Sequence, residues 1–144
     1  MTLTDPSPTF KNNLNTLIGR MGIIPNAESL CTIISRPEEF GEAMQNDRNI
    51  ALFMASWCGP CVRMIDNLTE TPLVKEFLDG HNINALYVDV DLIAFKPFRE
   101  GHYIHSVPHS LGYDHGERVG WIIGLVSKDR FVDDVKKWYG RGID

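Results

Sequence analysis

The spacing of hydrophobic and polar positions changes repeatedly along the chain, and each change predicts an element. "CTII" (31–34) reads as a short strand, and Ser35 and Pro37 open a helix reaching about Asn46. "IALFMAS" (50–56) is continuously apolar, as in a strand buried on both faces. Beyond it, Cys61, Met64, Ile65 and Leu68 recur on one side of a helix. Thr71 and Pro72 restart that helix, and Asp79 and Gly80 stop it. "NALYVDV" (84–90) is another strand, followed by a short helix over 93–100 interrupted at Pro97. "DHG" is a hairpin signal between strands at 107–113 and 117–123. Ser127 caps a last helix with Phe131, Val135 and Trp138 on one face. This order predicts an α/β fold, a mixed sheet with helices on both faces.

The leading residues follow a different pattern. Ser7 suits an N-cap and Pro8 the first helical position. Phe10, Leu14, Leu17, Ile18 and Met21 then form one apolar stripe, which Gly19, Gly22 and Pro25 bring to an end. The chain is therefore divided into an extension, residues 1–30, with one amphipathic helix, and a main domain, residues 31–144. The stripe can dock on the main domain or offer a surface to another protein.

Composition narrows the function classes. The 144 residues suffice for one domain with a core. Net charge is −5, and Lys136-Lys137, beside Asp133-Asp134, is the one adjacent pair of basic residues, which argues against nucleic acid as a partner. The apolar runs are strand-length, too short to span a membrane. The first residues lack the basic start and apolar stretch of a secretory signal, so a cytoplasmic location is expected. Three cysteines, two of them close together, favour redox or metal chemistry over a disulfide framework.

The pair sits in "SWCGPCV" (56–62). With a strand ending near Ser56 and a helix starting near Gly59, Cys58 falls at a helix N-terminus. Unpaired N–H groups and the helix dipole there favour thiolate. Cys61 is one turn further on, placed to attack a mixed disulfide formed at Cys58. Pro60 restricts the backbone between them. A zinc site needs more ligands, and there is no second C-x-x-C. His102, His105 and His109 cluster in sequence, but in a loop entering a strand, so no metal is expected.

"WCGPC" is identical to the active-site motif of the thioredoxin family. "SVPHS" resembles that family's cis-proline loop, "DHGE" its last hairpin turn, "VDVD" (88–91) the end of its central strand, and "IIGLVSKDRFVDDVKKW" the lead into its C-terminal helix. The resemblance spans about residues 31–140. It implies a thioredoxin-like fold, with Cys58 as exposed nucleophile and Cys61 as buried resolving thiol. It implies that Trp57 faces the client and that Gly59 and Pro60 complete the motif. Val107 and a cis Pro108 would present backbone to a client peptide beside Ile123, Gly124 and Leu125. The implied activity is thiol–disulfide exchange that reduces protein disulfides, without a cofactor. The implied partners are disulfide-containing clients and an external dithiol donor such as a thioredoxin reductase, with the protein itself a monomer. An oxidase or isomerase of the same fold, or a binding module with secondary redox activity, are the alternatives.

Some positions depart from the family pattern. Leu52 stands where a buried Asp is usual, Tyr87 where a lysine commonly faces it, and Asp66 where a mid-helix proline is usual. Without that carboxylate, resolution by Cys61 is expected to depend on solvent hydroxide or on a group such as His109. His109 follows Pro108 where Thr is common; protonated, it would stabilise a Cys58 thiolate, and otherwise it is an ordinary strand residue. Cys31 reads as a small buried hydrophobe.

Overall fold

The structure, a computed structural model, describes residues 23–46, 48–92, 96–102 and 104–140. The helix expected over 8–21 lies outside them. A single turn, α1 (Ala27–Leu30), precedes β1 (Thr32–Ile34), α2 (Pro37–Ala43), β2 (Arg48–Met54), α3 (Gly59–Thr69) and α4 (Leu73–Gly80). β3 (Ile83–Asp89), α5 (Lys96–Gly101), β4 (His109–Asp114), β5 (Glu117–Ile123) and α6 (Lys128–Tyr139) follow. The strands form one mixed sheet in the order β1-β3-β2-β4-β5. β3 runs parallel to β1 and β2, whereas β4 is antiparallel to β2 and β5.

β2 and β3 are central strands, which is why their middles are apolar; Ile50 to Met54 have no exposed surface. Successive residues alternate between the two sheet faces. One face carries Leu52, Tyr87, Asp89, Ser110 and Gly112, and α6 packs on it through Trp138. The other carries Phe53, His109, Leu111 and Tyr113, and meets α2 through an edge-to-face contact of Phe40 with Tyr113.

The β4–β5 hairpin shows why this region is rich in glycine. His115 and Gly116, both at positive φ (52° and 82°), make the two-residue turn, matching the twist of the strands. Gly112 and Gly120 face each other across the ladder, and the Trp138 indole lies on both. A Cβ on Gly112 would come within 2.5 Å of that ring, and one on Gly120 within 2.1 Å. The C-terminal end of α6 is anchored as well, because the buried Tyr139 hydroxyl lies 2.8 Å from the Asn49 carbonyl and 2.9 Å from that of Tyr113.

One expectation changes. Pro97 does not interrupt α5; it is the second residue of the helix, where the missing N–H has no helical partner to lose. Packing also runs across the sequence boundary at residue 30. Ile24, Ala27 and Leu30 are buried, α1 packs on α3, and the Ile24 N–H donates to the Tyr87 hydroxyl at 3.2 Å.

Candidate active site

β2 carries the chain out of the sheet, and Cys58 becomes the N-cap of α3 with extended backbone (φ −84°, ψ 110°). Its Sγ accepts the Cys61 N–H at 3.2 Å, and its thiol donates to the Val107 carbonyl at 3.6 Å. Pro60, in the first turn, loses no helical bond. The sulfur therefore faces both a helix N-terminus and the loop before β4. All three cysteines are free thiols.

The difference in access between the two thiols is smaller than the sequence implied. Cys58 is 5% exposed and Cys61 not at all. Cys58 lies in a groove of about 520 Å³ whose walls include Trp57, Val90, Ile104, His105 and Val107. Burial, and then the hydrogen bond with Cys58, push the Cys61 thiol well above the ordinary range.

The Val107–Pro108 bond is cis. The Pro108 carbonyl accepts the Gly124 N–H at 2.8 Å, which ties the end of β5 to the loop facing Cys58. Gly124 has φ +92°, a conformation that favours glycine. Around this junction Trp57 is 70% exposed and Ile123 64%, with Leu125 beside them, so apolar surface surrounds a nearly buried sulfur.

Other site residues fall elsewhere. His109 pairs with Phe53 and Ile123 on the sheet face opposite Leu52 and Tyr87. It is buried, with Nδ1 unpartnered. Burial, and then the positive charge of Arg118, lower its pKa below the ordinary histidine value. Of its two readings, His109 is the buried strand residue at the start of β4. Cys31 is buried, its thiol pushed up to about 12 by desolvation, consistent with a small hydrophobe. Among the described residues, no cluster of His, Cys, Asp or Glu could hold a metal ion, and no helix is long and apolar enough to cross a membrane.

The thioredoxin family profile matches residues 31–137, the whole of this sheet with α2 to α5 and most of α6. The chain belongs to the thioredoxin family. It is 30% identical over 97 residues to a thioredoxin of Rickettsia prowazekii, covering 67% of this chain and 87% of that one. It is 35% identical over 86 residues to thioredoxin-2 of Dictyostelium discoideum, covering 60% and 90%. In fold it matches the crystal structure of a Trypanosoma brucei brucei thioredoxin at TM-score 0.64 and 20% identity, over 76% of this chain and 91% of the other. The protein is a thiol–disulfide oxidoreductase, and the proximity of Cys58 and Cys61 fits its dithiol.

Compared with the family pattern, the sheet beneath α3 is unusual. Leu52 is fully buried and registers with Tyr87 on β3 and Ser110 on β4. No carboxylate or amine occupies either family position, and the Tyr87 hydroxyl is engaged by Ile24 N–H. The nearest acid along β3 on that face is Asp89, 5% exposed and raised to about 6 by desolvation, against the lowering effect of the Asp91 N–H bond at 2.9 Å. The Asp91 carboxylate in turn accepts the Trp57 indole N–H. Sequence reading took "VDVD" only as a family match. Its strand alternation was the available signal that Asp89 shares a face with Tyr87.

Proposed function

We propose that this protein works in the reducing direction, with Cys58 as nucleophile and Cys61 as resolving thiol. The Cys58 thiolate attacks one sulfur of a client disulfide. A Cys58–client bond forms, the client disulfide breaks, and the leaving sulfur takes a proton. Cys61 then loses its proton and attacks Cys58, so the client leaves as a dithiol and the two electrons it gained leave a Cys58–Cys61 disulfide. An external dithiol donor, such as a thioredoxin reductase, reduces that bond again. The observation that carries this assignment is the position of Cys58 Sγ, capping α3 and lining the groove. A thiolate there gains the Cys61 N–H bond and the helix dipole.

Clients in this reading are disulfide-bearing proteins whose extended backbone lies along Val107 and Pro108, with apolar side chains against Trp57, Ile123 and Gly124. Gly59 and Pro60 keep the turn between the thiols compact. No cofactor is required. The protein acts as a monomer in a reducing, cytoplasmic compartment, where free thiols persist. Insulin reduction driven by dithiothreitol tests the reading. Wild type should accelerate it and Cys58→Ser should not. Equilibration with glutathione should give a potential nearer the reducing than the oxidising members of the fold. A strongly oxidising potential would instead favour an oxidase or isomerase.

A further inference from the structure

A second groove, of about 660 Å³, shares Trp57 and Asp91 with the first but does not include Cys58. Its walls are mostly apolar, formed by Ile23, Ile33, Ile34, Tyr87 and Leu92, with Asp89 and Asp91 also lining it. Disulfide exchange as set out above makes no use of it.

We propose that residues 8–21 form an amphipathic helix whose apolar stripe occupies this groove in the same molecule. The described chain starts at Ile23, which lines the groove, and Gly22 alone separates it from Met21, the last stripe residue. So short a tether gives an effective concentration on the order of millimolar, ahead of any free partner. Met21, Ile18, Leu17, Leu14 and Phe10 present the spaced anchors by which a helix fills an apolar groove. The helix would be about 20 Å long. Charge agrees: Lys11 and Arg20 flank the stripe, and Asp5 is the single acid of residues 1–22, whereas the groove offers Asp89 and Asp91. The seated helix covers the Tyr87 side of Trp57 and leaves the Cys58 groove open.

Photocrosslinking in the full chain tests this placement. Leu17→p-benzoylphenylalanine keeps an apolar anchor, and Asn12→p-benzoylphenylalanine puts the same probe on the polar face. The expected result is a monomeric product linking position 17 to the segment holding Ile33–Ile34 or to that holding Tyr87–Leu92. Its yield should be unchanged on dilution and several-fold above that of the position 12 probe. Links from position 17 to other regions, links between two copies that fall off on dilution, or equal yields from both probes would each overturn the proposal.

Discussion

At the residue scale, the distinctive feature is the loss of charge beneath the resolving thiol. Cys61 is buried and its pKa is raised, and it must still become a thiolate to release the client. Leu52 cannot take its proton, and the Tyr87 hydroxyl is already engaged. Below the thiol pKa the thiolate fraction grows tenfold per pH unit. Stopped-flow resolution of a mixed disulfide should therefore accelerate by about that factor per unit from roughly pH 6 to pH 9, bracketing the ordinary thiol range. Leu52→Asp should flatten the profile at some cost in stability, because it buries a carboxylate. His109→Ala should leave both rate and slope unchanged, since His109 lies on the opposite sheet face; slower resolution with a steeper slope would show that His109 takes part. Asp89 supplies a second test. Its folded pKa, about 6, exceeds the ordinary 3.8, so the native state holds a proton that the unfolded chain releases between those values. Stability contributed by that proton is fully present below about pH 4 and lost as pH rises through about 6. Asp89→Asn keeps an oxygen for the Asp91 N–H and removes the buried charge. It should stabilise the protein by on the order of 1–3 kcal/mol at pH 7 and add nothing near pH 4, measured by denaturant melts at both. Sequence reading identified the missing carboxylate because the strong motif at Cys58 fixes the family position six residues before it. It did not find Asp89, because an acid at a strand end reads as solvated until the packing around it is known.

At the element scale, the hairpin and the last helix depend on one another. Gly112 and Gly120 leave space that the Trp138 indole fills. Gly120→Ala should cost about 1–3 kcal/mol, the usual range for overpacking. Trp138→Ala should lose contact area, and the two changes together should cost less than their sum. Additive losses in denaturant melts would mean that the indole does not set the requirement for glycine. The element order was legible from the sequence because β2, α3, the hairpin and α6 each keep one hydrophobic period over their length. The partnership of the glycines with Trp138 was not, since it joins residues far apart in sequence. Residues 23–30 escaped for a different reason: Gly22 and Pro25 read as the end of the first helix, and a single turn is too short to show a period, although the segment buries Ile24, Ala27 and Leu30.

At the scale of the whole molecule, the fold presents one nearly buried sulfur at the junction of α3 and the cis-proline loop, surrounded by Trp57 and Ile123. Residues 23–30 pack on the core through the Ile24–Tyr87 bond and the contact of α1 with α3. Tyr87→Phe removes the acceptor for a buried N–H and should lower stability by about 1–3 kcal/mol, while insulin reduction at saturating dithiothreitol stays near wild type. The motif made the chemistry legible, but the narrow margin in exposure between Cys58 and Cys61 emerges only from the packed structure. The central claim is that these two thiols have unequal roles, and client trapping tests it most directly. Each single variant is reduced, mixed with an oxidised client, quenched with acid and read by intact-mass spectrometry. Cys61→Ser should accumulate a one-to-one mixed disulfide through Cys58, and Cys58→Ser should accumulate none. Equal trapping by the two variants, or trapping through Cys61 alone, would contradict the account.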